Sequence, residues 1–273
     1  MKRILTLIAC MPTLIFATEL APWFSTNLEI QSRLDAELYT YHSVNGRGPY
    51  LHRNDCAKFY HGSLLLPFEY MIGEGFCAEL EATVADTRYQ DWRLDNMRLT
   101  ARYKWLNDIT GDPVSLVTGL TLTQAFTSSL RDISSFHHGR AEMEAHVSIG
   151  REVTSGASWK SRWWTLLAVG LADQGTEWIR THSEWEKNWC DRHAAAIFLD
   201  TLWGMGSRSL HTLNHFHGYG LIRHQSVDLG LNYHYLTASG GTFEASYAYR
   251  VFARNFPQDS QLIKLSLIYP FGI

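Results

Sequence analysis

Beyond its first residues the chain lacks any run of about 18 apolar residues, so no later segment can cross a membrane as a helix. Cysteine is scarce, with four in 273 residues, and neither CxxC nor a Cys/His metal spacing occurs. A strong charge of one sign is also missing. The formal net charge is −3 and the isoelectric point is about 6.5, which leaves no footprint for a nucleic-acid partner. No cofactor is expected. No internal repeat, low-complexity tract or linker breaks the chain, which points to one domain.

What the chain does have is aromatic side chains. They make up 13% of it, with 10 Trp and 13 Tyr, yet the mean hydropathy is only −0.18. Many aromatics, moderate polarity and no apolar 20-mer suit a transmembrane β-barrel, whose lumen is polar and whose rims are aromatic. A soluble all-β protein could share these totals. The N-terminus reads as an export signal. Lys2 and Arg3 precede an apolar core from Ile4 to Phe16, and cleavage is expected after Ala17. A rival lipoprotein box, Leu7-Ile8-Ala9-Cys10, lies inside that core. After cleavage Cys56, Cys77 and Cys190 remain, which allows one disulfide at most.

The strongest pattern has a period of two. From Leu28 to Thr40 the even positions are mostly apolar, while the odd ones include Glu29, Arg33, Asp35 and Glu37. Side chains alternate across a strand, so such a segment has one apolar and one charged face. The same alternation sets Glu79 and Glu81 apart from Leu80 and Ala82. It sets Arg98, Arg102 and Lys104 apart from Leu99, Tyr103 and Trp105, and Glu142 and Glu144 apart from Met143 and Ala145. Asp228 likewise alternates with Val227 and Leu229. Residues 113–125 are weaker because Val117 lies on the polar face, and 161–172 and 193–204 are apolar on both faces. Twelve candidate strands result, an even count that returns both termini to one side. Short connections fall at 71–75, 107–112, 189–192 and 237–241. Longer polar ones at 43–58, 126–139 and 205–218 are expected to face outside.

The last strand, with Ile263, Leu265, Leu267, Tyr269 and Phe271 on one face, resembles the aromatic-ended closing strand of outer-membrane barrels. It departs from that pattern in Pro270 and in the trailing Gly272 and Ile273. The resemblance implies a Gram-negative-type outer-membrane location, contact with outer-membrane lipids and recognition by the barrel-assembly machinery. The expected fold is therefore all-β: one antiparallel transmembrane barrel of about twelve strands over 18–273. A soluble sandwich would turn the same apolar faces inward.

On this reading the charged faces line a lumen, with thirteen acids against eight bases. Glu29, Arg33, Asp35, Glu37, Glu79, Glu81, Arg98, Arg102, Lys104, Glu142, Glu144 and Asp228 are the named candidates. Unpaired buried charges are costly, so this density implies water or extensive pairing. The hairpin at 87–91 should set Glu81 opposite Arg98. Porin-like passage of small hydrophilic solutes follows as the expected function, with a modest preference for cations.

Two other classes compete, a structural or surface-interaction barrel and a lipid hydrolase. His42-Ser43-Val44-Asn45-Gly46-Arg47 resembles the His-Asp-Ser-Asn-Gly-Arg segment of the outer-membrane phospholipase A family, which implies twelve strands and lipid hydrolysis. However, Val44 stands where that family has its serine. His146/Ser148 and His224/Ser226 keep the His-x-Ser spacing, but their parity points them into the lumen. His137, His138, His211, His215 and His217 are weak candidates for a metal site if their loops converge.

Overall fold

The computed structural model describes residues 20–24, 29–47, 54–67, 75–156 and 158–272. No helix in this set is long and apolar enough to cross a membrane, and strands dominate it. They are β1 (Glu29–Tyr41), β2 (Ser43–Val44), β3 (Asp55–Pro67), β4 (Phe76–Asp86), β5 (Arg93–Leu106), β6 (Ser115–Ala125) and β7 (Ala141–Ser155). There follow β8 (Ser158–Ala172), β9 (Trp178–Trp189), β10 (His193–Gly204), β11 (Gln225–Leu236), β12 (Thr242–Arg254), β13 (Pro257–Gln258) and β14 (Gln261–Gly272).

Twelve of them close into one antiparallel barrel in chain order, β1 meeting β14 from Glu29↔Gly272 to Thr40↔Gln261. Closure pairs both edge strands, so among the described residues the sheet has no open edge. The barrel strands have 11 to 15 residues. At about 3.3 Å per residue and a tilt near 40°, a 12-residue strand rises roughly 30 Å, the thickness of a bilayer core.

Alternation decides which face is which. On β4, Cys77, Glu79, Glu81 and Thr83 are buried inside, while Leu80 is 49% exposed outside. Leu34, Leu99, Leu167, Ile197, Leu231 and Leu265 continue this exposed apolar belt. Trp105, Trp163, Trp185, Trp189, Tyr269 and Phe271 rim it at the short-turn end, and Tyr60, Tyr89, Trp92 and Trp203 at the other. The apolar faces therefore point outward, the arrangement of a membrane barrel rather than of a sandwich. The loops expected outside, at 43–58, 126–139 and 205–218, share one end of the barrel. The first is shorter than expected, because β3 already begins at Asp55.

The apolar inner faces on β6, β8 and β10 have a specific cause: the protein fills both mouths with its own chain. At the short-turn end, Leu20, Ala21 and Trp23 pack on Trp164, Leu166 and Ala168, while Phe24 packs on Val117, Leu65 and Cys77. At the other end, Ile133, Leu210, Leu213, Phe216, Tyr219 and Phe256 form a loop-borne core against Tyr39, Tyr41 and Phe59, with Leu202 beside it. The ribbon of β2 with β13 ties two of these loops together. Cys56, Cys77 and Cys190 are all free thiols.

Candidate functional site in the barrel lumen

Between the two plugs lies a chamber of about 340 Å³. Seven carboxylates line it (Asp35, Glu37, Glu79, Glu81, Asp95, Glu142 and Glu144), against Arg98, Arg180 and Lys264 and three histidines. Strand register places most of these groups. Glu81 stands opposite Arg98, as the hairpin spacing predicts, and their side chains meet at 3.5 Å. Glu79 accepts from Ser63 Oγ at 2.7 Å and lies 3.6 Å from Arg102. Glu144 accepts from Arg180 Nη2 at 2.6 Å. His61 sits between Glu37 at 3.5 Å and Glu81 at 3.8 Å.

Arg33, Arg102, Lys104 and Asp228 lie inside as well, but not in the chamber. Arg102 and Lys104 hold the floor. Both reach the Phe24 ring, at 4.8 and 4.4 Å, and Lys104 Nζ donates to the Phe24 carbonyl at 2.9 Å. Asp228 is gripped by Arg250 through two bonds of 2.7 and 2.8 Å. Arg33 donates to Asp35 at 2.8 Å. It also closes a chain of contacts across the packed wall: Arg162 bonded to Glu186, Glu186 to His234 at 3.7 Å, His234 to Glu244 at 3.9 Å, and Glu244 to Arg33 at 3.9 Å. The side chain of Glu29 lies outside the described residues.

The roof is made by the 126–139 loop. His137 Nε2 is 2.8 Å from Asp95, and Glu142 approaches its other nitrogen at 3.7 Å. Burial alone would push the His137 pKa down, but these two carboxylates raise it to about 9. Neighbouring His138 stacks on Trp178 at 3.8 Å and meets His224 with 3.1 Å between Nε2 atoms. Burial, with the second imidazole beside it, lowers His138 to about 3, and burial lowers His224 to about 4. Two glycines make room for this stack. A Cβ at Gly170 would fall 2.0 Å from the Trp178 ring, and one at Gly204 would fall 2.1 Å from His224.

The remaining candidates are not brought together. His211, His215 and His217 are exposed on the loop surface, away from buried His137 and His138. Among the described residues no group of three His, Cys, Asp or Glu is placed to hold a metal. His146 and Ser148 do face the lumen and are buried, but neither His146 nitrogen nor Ser148 Oγ makes a hydrogen bond. A hydrolase needs its nucleophile within hydrogen-bond reach of its base. Sequence reasoning missed His61, Asp95, Trp178 and the Trp23–Phe24 plug. The bulky run Pro22-Trp23-Phe24, ahead of the first alternating strand, was the available signal for the last.

No protein-family model and no curated protein matches the chain. Solved structures do. The COG4313 outer membrane channel from Pseudomonas putida F1 superposes with a TM-score of 0.63 over 90% of this chain and 96% of its own, at 11% identity. The fold is that of an outer-membrane β-barrel. The NanC porin follows this chain with a TM-score of 0.54 over 86% of it and 98% of the porin, at 9% identity. The KdgM porin gives 0.52 over 88% and 99%, at 8% identity.

Proposed function

We propose that the protein is an outer-membrane channel for small hydrophilic solutes, cations in preference to anions, with its two plugs as gates. The observation that carries this reading is the charged chamber between the plugs. A barrel serving only as a scaffold gains nothing from polar space in its middle, where apolar packing would be at least as stable. Seven carboxylates against Arg98, Arg180, Lys264 and His137, whose pKa is raised to about 9, leave the lining negative by 7 − 4 = 3 charges, so a cation meets a favourable potential there. The likeness to channel and porin folds is compatible with this function. Export through the 1–17 signal and insertion by the barrel-assembly machinery belong to the same reading. They are supported by the basic-then-apolar N-terminus and by outward-facing Tyr269 and Phe271 on the closing strand.

The test is conductance of refolded protein in planar bilayers under a KCl gradient. Stepwise openings with a cation-selective reversal potential, weakening as salt screens the field, are expected. Absence of openings in both the native chain and a variant without residues 20–24, or clear anion selectivity, would overturn the reading.

A further inference from the structure

On the outer wall, β9 to β14 carry an unusual row. Register aligns Lys187, Ala195, Tyr233, Ala245 and Leu265 side by side. The two alanines make a floor between bulky neighbours, and a groove of about 680 Å³ opens there, walled by Trp185, Trp189, Tyr233 and Tyr247. Tyr233 turns its hydroxyl to His193 Nδ1, 2.6 Å away, so its ring edge flanks the floor. Among the described residues, outward strand positions from β7 to β14 carry no carboxylate; Arg151 and Lys187 stand on this face toward the short-turn end, and Arg254 at the opposite end. Lys187 is exposed and, among the described residues, has no acidic partner; Asp191 and Arg192, opposite in charge, follow in the exposed turn. A cation facing lipid is unfavourable unless it reaches water or an anion.

We propose that this groove binds one anionic phospholipid of the adjoining leaflet, with Lys187 on its phosphate and an acyl chain over Ala195 and Ala245. The proposal rests on the barrel standing in a membrane, and is independent of whether the lumen conducts. Charge selects the headgroup, since among the described residues no carboxylate occupies an outward strand position beside Lys187 and Asp191 in the turn is matched by Arg192. The apolar floor selects a ligand with a chain, which free phosphate lacks. Indole N–H groups at the interface add donors at headgroup depth.

Native mass spectrometry of protein released from bilayers of equal phosphatidylglycerol and phosphatidylcholine tests this. One basic residue near a membrane surface contributes about 1 kcal/mol toward an anionic lipid, which is about a fivefold preference. Retained phosphatidylglycerol should exceed phosphatidylcholine by about that factor. Lys187→Gln should bring the ratio close to one, while Ala195→Leu should reduce retention of both lipids and keep the ratio. Equal retention by the native protein, or an unchanged ratio in Lys187→Gln, overturns the site. Failure of the native chain to insert into pure phosphatidylcholine vesicles would instead overturn the membrane reading, and the site with it.

Discussion

Replacing Trp23 by alanine should unlatch the barrel at its short-turn end. The indole is fully buried, donates from Nε1 to Asp108 at 2.9 Å, and lies under the Arg162 guanidinium 5.1 Å from its ring. Truncating a buried Trp to Ala costs about 3–5 kcal/mol. Water can enter the vacated space in a polar lumen, so the lower end, ~3 kcal/mol, applies here. At 1.4 kcal/mol per factor of ten, docking of residues 20–24 should shift toward the released state by roughly a hundredfold. Segments of this kind open with small free energies of their own, well below that of global unfolding. Single-channel recordings should show a large rise in open probability, and limited proteolysis should show faster trimming of the N-terminal segment. Trp23→Phe keeps most of the contact and should lie between the two. A variant trimmed rapidly by protease, with a barrel still resistant to SDS, yet with native open probability, would refute the gating role.

Two further perturbations probe other parts of the structure. Leu229→Arg or Leu265→Arg, on the exposed belt, should destabilise the barrel by about 2–4 kcal/mol, whereas Ser226→Ala on the lumen face should cost far less; urea titration that finds equal tolerance on both faces would contradict the membrane-facing assignment. The roof should dock best near pH 6.5: His138 and His224 are held neutral with pKa values lowered to about 3 and about 4, so the released loop binds more protons and docking weakens as pH falls below 6.5. His137, raised to about 9 by Asp95 and Glu142, acts in the opposite sense, its contribution being complete below 6.5 and lost as pH rises through 9, so open probability should pass through a minimum and a monotonic profile would refute the assignment.

The period of two marked most of the barrel strands, β8 and β10 with their two apolar faces excepted, because a one-residue slip would invert all side chains at once. It failed where inner faces are covered by the chain itself. Val117 and Leu166 break the polar pattern because Phe24, Leu20 and Trp23 come to rest on them from far away in sequence, and no local periodicity encodes such a contact. Asp95 was hidden for another reason. The register shifts between Thr83 and Val84, opposite it, and Asp95 and Asn96 are both buried inside. Strict alternation would have sent one of them outward. The pairing of Asp95 with His137 then joins a strand to a loop 42 residues away, which spacing alone cannot predict.

The two halves of the lumen differ in how firmly their charges are held, and on the channel reading this sets where a solute would move. On the β8–β12 side Arg162, Glu186, His234 and Glu244 are almost fully buried and linked in one chain. Removing one member of such a buried pair costs about 3–5 kcal/mol, so this half acts as a strut. Facing the chamber, the Arg98 and Arg180 side chains are 34% and 36% exposed. Their carboxylate partners are more buried, Glu81 at 8% and Glu144 at 13%, but the guanidinium groups themselves reach the water of the chamber, which weakens these pairs relative to the dry chain on the other side. On the channel reading, a cation in the chamber would exchange with Arg98 at Glu81 more readily than with Arg180 at Glu144, which is held by two bonds. The same exchange is closed to it at Glu186, whose partners have nowhere to go. On the channel reading proposed above, Glu81 and Glu144 are therefore the groups expected to select, and Glu81→Gln with Glu144→Gln should reduce cation preference in reversal-potential measurements, whereas an unchanged preference would refute this assignment.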